Sequence, residues 1–184
     1  EKVISDMINT PQTNTQNVLE HGISVAKHFD KLISGDTNNW KLPTWFIDNK
    51  ELILNNLHSL EDIKEYHVMH DCGKSYCMTI DEQGKRHFTN HSQVSFDTFS
   101  KISDNKVVAD LILKDMVLHT IKSDEVEDFI KNNSIKTVIT LLVTALCELH
   151  SNASMFGGTE STSFKIKFKQ LDKRGKQILK LINK

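Results

Sequence analysis

Chain breakers are scarce in this sequence. Two prolines and seven glycines among 184 residues are less than half the roughly 12% that average usage supplies, which argues for helices and against a turn-rich β sandwich. An excess of charge of one sign is missing too. Lys and Arg number 23 against 24 Asp and Glu, a formal net charge of -1, so no global basic footprint for long nucleic acid exists. No apolar run approaches the ~20 residues of a membrane span. The three cysteines, Cys72, Cys77 and Cys147, are odd in number and show no repeated Cys-x-x-Cys pair, so they read as reduced thiols and not as a disulfide framework. The opening EKVISDMINT lacks the basic-then-apolar order of a signal peptide and an initiator Met. The expectation is a trimmed or excised cytoplasmic chain, and richness in Lys, Asn and Ile points to a microbe or a virus-infected cell.

What remains is an ordinary globular composition, 38% hydrophobic and 26% charged, which excludes collagen-like and disordered classes. At this length a single domain over 1–184 is expected, with a core of about 13–152 and a basic tail from 163 to 184. Apolar residues at three- and four-residue spacing predict a helix over 13–34, capped by Asn14 or Thr15, then helices over 45–57 and 59–71. Residues 75–90, with YCMTI, DEQGK and RHF, break that period and predict a hairpin. Helices are predicted again over 91–99, 105–118, 123–131 and 135–152, the last carrying the most apolar run, TVITLLVTALCEL, and placed as a buried helix. The fold class is therefore all-α with one small β-hairpin insertion.

Nine histidines are the unusual feature. His21 lies within the first long helix, His70 and Asp71 are adjacent at the end of the third, His91 opens the helix after the hairpin, and His119 follows the apolar stretch VVADLILKDMVL. Imidazole and carboxylate together suit a divalent cation, and a catalytic centre also keeps a position open for water. Neighbouring residues on a helix point about 100° apart, so His70 and Asp71 can share one ion only near a helix end or with the ion between helices. His28, His58 and His67 have no such pattern and read as solvated or hydrogen-bonded side chains.

An early helical His, then EYHVMHDCGK with its HDxGK signature at 70–74, then NHSQVS and a His after an apolar helix resemble the HD-domain metal-dependent phosphohydrolases over about 13–152. The resemblance implies an HD-like helical bundle in which His21, His70 and Asp71 hold a first ion. It further implies that Asp71 bridges to a second ion held with His91 and His119. One or two divalent ions would serve, drawn from Mn, Fe, Ni, Co, Mg or Zn. The departure lies at the last ligand: the family closes its first site with a late Asp, and ALCELHSNASMFGG has none. Asn152 stands most nearly in its place, with Glu148, His150 and Asp124 as alternatives.

The implied activity is hydrolysis of a phosphomonoester or phosphodiester on a nucleotide, a cyclic nucleotide or an RNA end. Asp71 would orient the attacking water, and Lys74 would contact a phosphate oxygen or else neutralise the end of its helix. His87 is the candidate acid for the leaving group. In the tail, KIKFK would put Lys165, Lys167 and Lys169 on one face if extended, a solvated basic face or a grip on substrate. The expected partner is a phosphorylated small molecule or RNA end, with no membrane and no long duplex. The other class of function is a module that binds a nucleotide or partner on the same scaffold without turnover.

Overall fold

A computed structural model describes residues 1–184. Helices α1 (Lys2–Ile8), α2 (Val18–Ser34), α3 (Thr44–Asp48), α4 (Lys50–Asn55) and α5 (Leu60–Met69) precede a hairpin of β1 (Met78–Ile80) and β2 (Arg86–Phe88). Helices α6 (His91–Ile102), α7 (Lys106–Leu113), α8 (Val117–Thr120), α9 (Val126–Asn132), α10 (Ile135–Ser151) and α11 (Thr162–Ile182) follow. The two strands pair antiparallel, with Met78 opposite Phe88 and Ile80 opposite Arg86. The chain is thus all-α with one small hairpin, as its composition and apolar periodicity predict. No helix is long and apolar enough to cross a membrane.

Several boundaries differ from the periodicity, each for a local reason. Helix α2 starts at Val18 because residues 11–17 close on themselves through an antiparallel bridge between Pro11 and Asn17. The cap is neither Asn14 nor Thr15. Asn17 Oδ1 accepts from the Glu20 backbone N–H at 2.8 Å and Glu20 Oε2 accepts from the Asn17 N–H at 2.9 Å, a reciprocal cap of the kind that contributes about 1 kcal/mol. The helix expected over 45–57 breaks at Asn49, whose side-chain amide donates to the Trp45 carbonyl at 2.9 Å. That contact offers the backbone an alternative to the next helical bond. The expected 105–118 helix splits into α7 and α8, and Asp115 in the break turns inward to accept from the buried Tyr66 hydroxyl. The KIKFK stretch is not extended. It lies inside α11, where Lys167 is rotated about 200° from Lys165 and Lys169.

The chain divides into two compact units, Glu1–Ala26 with Glu61–Met116, and Lys27–Leu60 with Val117–Lys184. In the first, the buried apolar side chains include Met7, Val18, Val25, Ile63, Tyr66, Phe99 and Ile112, and α6 packs on α7. Gly22 lets α2 pass close to α5, since a Cβ there would lie 2.4 Å from the Val68 carbonyl oxygen. In the second, α10 is buried from Thr137 to His150 and contacts α8 and α11, while α11 also meets α3 and α9. Ser134 and Ser161 cap α10 and α11, each hydroxyl accepting a backbone N–H at 3.1 Å. Gly175 lies directly against the Trp45 indole, which a Cβ would approach to 2.3 Å.

Candidate metal centre

In the first unit the chain leaves α5 at Met69 and turns at once, with the Cys72 N–H donating to the Met69 carbonyl and the Lys74 N–H to the Asp71 carbonyl, both at 3.0 Å. The turn is seated on α6. The Gly73 N–H donates to Ser95 Oγ at 3.0 Å, the Cys72 thiol to the Ser95 carbonyl at 3.4 Å, and a Cβ on Gly73 would come within 2.5 Å of the Ser95 nitrogen. His70 and Asp71 therefore stand at a helix exit, where two adjacent side chains can converge on one point.

They do converge. His70 Nε2 lies 3.3 Å from Asp71 Oδ2, His21 Nε2 lies 3.6 Å from the same oxygen, and His91 Nε2 lies 3.7 Å from Oδ1. His21 and His70 present ligand nitrogens within 4.8 Å of one another. Lys74 Nζ completes the surround at 2.9 Å from Asp71 Oδ2. His21, His70, Asp71 and Lys74 are buried, and His91 is partly exposed.

The other ring nitrogen fixes what two of these imidazoles offer. His70 Nδ1 contacts the His67 carbonyl at 2.7 Å and His91 Nδ1 the Phe88 carbonyl at 3.2 Å. A carbonyl only accepts, so both Nδ1 atoms carry protons. In the neutral rings the Nε2 lone pairs then face the Asp71 carboxylate. This arrangement, with the second nitrogen bound to a backbone carbonyl, is the one metal-ligating histidines adopt. Lone pairs crowd a carboxylate only where positive charge stands among them, and Lys74, a ring proton or a cation can supply it. The donor set of imidazole nitrogen and carboxylate oxygen fits a divalent ion of the borderline or hard kind.

Electrostatics keep the centre ionised. Burial strongly opposes charge on Asp71, but His70 in its protonated form, the Lys74 ammonium and protonated His21 outweigh it and hold the carboxyl well below the ordinary carboxylate range. Burial pulls the His91 imidazole below its usual value despite the attraction of Asp71, which favours the neutral, ligating form.

His87 pairs with Asp81 within the hairpin, Nε2 to Oδ2 at 2.8 Å. In the second unit His119 pairs with buried Glu148, Nε2 to Oε2 at 2.9 Å. His150 contacts the Lys41 carbonyl at 3.1 Å and stacks on Trp40 with ring centres 4.5 Å apart. Asn152 is the residue after α10, and its Oδ1 is buried without a hydrogen bond. Asp124 is exposed on the turn Ser123–Glu125. Lys165 pairs with Glu160 at 3.4 Å, and Lys167 sits 5.1 Å from the centre of the Phe156 ring.

One neighbour has no signal in the sequence. Gln12, in the polar stretch PQTNTQN, reaches Lys74 with its Oε1 at 3.0 Å from Nζ. Comparison with family models, curated proteins and solved structures returns no match.

Proposed function

We propose that the centre around Asp71 binds a divalent metal and hydrolyses a phosphoester on a nucleotide, a cyclic nucleotide or an RNA end. The observation that carries this reading is the paired orientation of His70 and His91, each with Nδ1 on a backbone carbonyl and Nε2 toward the same carboxylate, at 3.3 and 3.7 Å. A purely structural salt bridge does not require two such imidazoles. The order of the residues along the chain, His21, then His70 and Asp71, then His91, supports it further through the resemblance to the HD-domain phosphohydrolases.

His21, His70 and Asp71 would hold the ion, with His91 available to a second. The chemistry such an ion supplies is a lowered pKa for water, from 15.7 to as little as about 7. The chain's own groups do the rest. Asp71, ionised at neutral pH, accepts a hydrogen bond from the attacking water and aligns it. Lys74 brings a buried ammonium to the same carboxylate and can offset charge that develops on a phosphate oxygen, where low dielectric strengthens the contact.

The Lys74–Asp71 pair at 2.9 Å also favours a second reading, in which the same centre holds an anionic ligand without turnover. One experiment separates the two. The purified protein is analysed for metal and assayed on aryl phosphate monoesters and diesters with Mn, Ni or Co, beside His70→Ala and Asp71→Ala. The hydrolase reading expects turnover in the wild type and its loss in both variants. Turnover that survives both substitutions would overturn the site, and absence of turnover with metal bound would favour the binding module.

A further inference from the structure

We infer that Gln12 is a positioning residue: its carboxamide oxygen orients the Lys74 ammonium toward an anionic oxygen of the ligand. The inference rests on the Asp71 centre taking a phosphate group, and it adds a residue outside the histidine and HDCGK pattern.

Lys74 is buried, and its backbone is set by the short 3-10 turn Lys74–Tyr76. Its side chain has three N–H donors. One lies 2.9 Å from Asp71 Oδ2, and a second 3.0 Å from Gln12 Oε1. The Phe88 ring stands 5.0 Å from Nζ and contributes cation–π attraction without consuming a donor. One N–H is therefore left for a ligand oxygen, and the two acceptors fix its direction. With Asp71 alone, the ammonium would rotate freely about a single contact on a flexible four-carbon stem.

Gln12 is itself held in place. Its backbone N–H donates to the Gln16 carbonyl at 2.9 Å, the Thr13 N–H donates to the same carbonyl at 3.0 Å, and the Val18 N–H donates to the Thr10 carbonyl at 2.9 Å. Together with the Pro11–Asn17 bridge, these bonds make a closed loop abutting the start of α2, the helix that carries His21. The loop thus ties the position of an uncharged acceptor to the helix that supplies a candidate ligand. A neutral amide suits this role. A carboxylate at the same place would cancel the ammonium charge and repel a phosphate.

The test uses inorganic phosphate as the probe, titrated calorimetrically into the full chain with and without Mn²⁺. Gln12→Leu removes the acceptor, and Gln12→Asn keeps the amide but withdraws it by one methylene. Both should bind phosphate about tenfold more weakly, as expected on losing a hydrogen bond to a charged group. Lys74→Met should lose more, and adding Gln12→Leu to it should cost nothing further, because the two act through one contact. Where an ester is turned over, kcat should fall together with kcat/KM, because Lys74 offsets charge that develops on the phosphate oxygen. Phosphate affinity within twofold of wild type in both Gln12 variants, or additive losses in the double variant, would overturn the inference. Failure of the hydrolase reading looks different: no ester is cleaved, while the phosphate titrations still decide the role of Gln12.

Discussion

The His70 ring donates from Nδ1 to the carbonyl of His67, three residues earlier, at 2.7 Å. One bond thereby ties an imidazole to the last turn of the helix it follows and leaves its other nitrogen for the Asp71 carboxylate. The orientation of the ring is thus tied to the backbone.

Metal binding should register as stability. An ion that binds only the folded chain, present at a hundredfold excess over its Kd, adds about 2.7 kcal/mol. Mn²⁺ or Ni²⁺ is therefore expected to raise the urea midpoint of the wild type. His70→Ala and Asp71→Ala should abolish the rise, and calorimetric metal affinity should fall with it. An equal rise in all three proteins would place the ion elsewhere.

Gly175 should resist substitution despite its place within α11. Replacing a helical Gly by Ala ordinarily gains about 1 kcal/mol in propensity. Here the new Cβ would meet the buried Trp45 ring at 2.3 Å, and overpacking of a filled core costs typically 1–3 kcal/mol. The clash outweighs the propensity, so Gly175→Ala should lower the urea midpoint. A stabilised variant would show that Trp45 can move.

The thiols should differ in reactivity. Burial pushes Cys72 up to about 12 and Cys147 well above the ordinary thiol value, and only thiolate is nucleophilic. Cys77 is partly exposed. An aromatic disulfide reagent at pH 8 is expected to modify Cys77 first, with the other two reacting on the timescale of unfolding. Cys77→Ser should then remove the fast phase, and retention of that phase would contradict the assignment.

Acid should act through His150. Burial lowers its pKa most, and His28 lowers it further, against a raising hydrogen bond to the Lys41 carbonyl. Because the folded value lies below the unfolded one of ~6.5, the unfolded chain binds more protons as pH falls past that point. Stability is then lost with falling pH. Between pH 7.5 and 5.5 the melting temperature should drop less in His150→Gln than in the wild type. An identical drop in both would rule the residue out.

How much was legible in the sequence differs by level. Helical content, the hairpin and the buried α10 follow from local periodicity and from the scarcity of Gly and Pro, because these depend on short-range sterics and on the spacing of apolar side chains. The breaks at Asn49 and before Val18 were not legible, since each turns on which side chain captures a particular backbone group. The HDCGK motif and the order of histidines marked His21, His70, Asp71 and His91 as candidates.

Only the tertiary structure could decide that the three imidazoles meet around the Asp71 carboxylate, that Lys74 joins them, and that Gln12 from a featureless polar loop holds Lys74. Periodicity states which face of a helix is apolar, whereas the convergence of distant side chains depends on how closely backbones approach. Here that approach is set by Gly22 beneath the Val68 carbonyl and Gly73 against Ser95, contacts between residues 46 and 22 positions apart in the chain. Local sequence therefore set the chemical types at the centre, and long-range packing set their geometry.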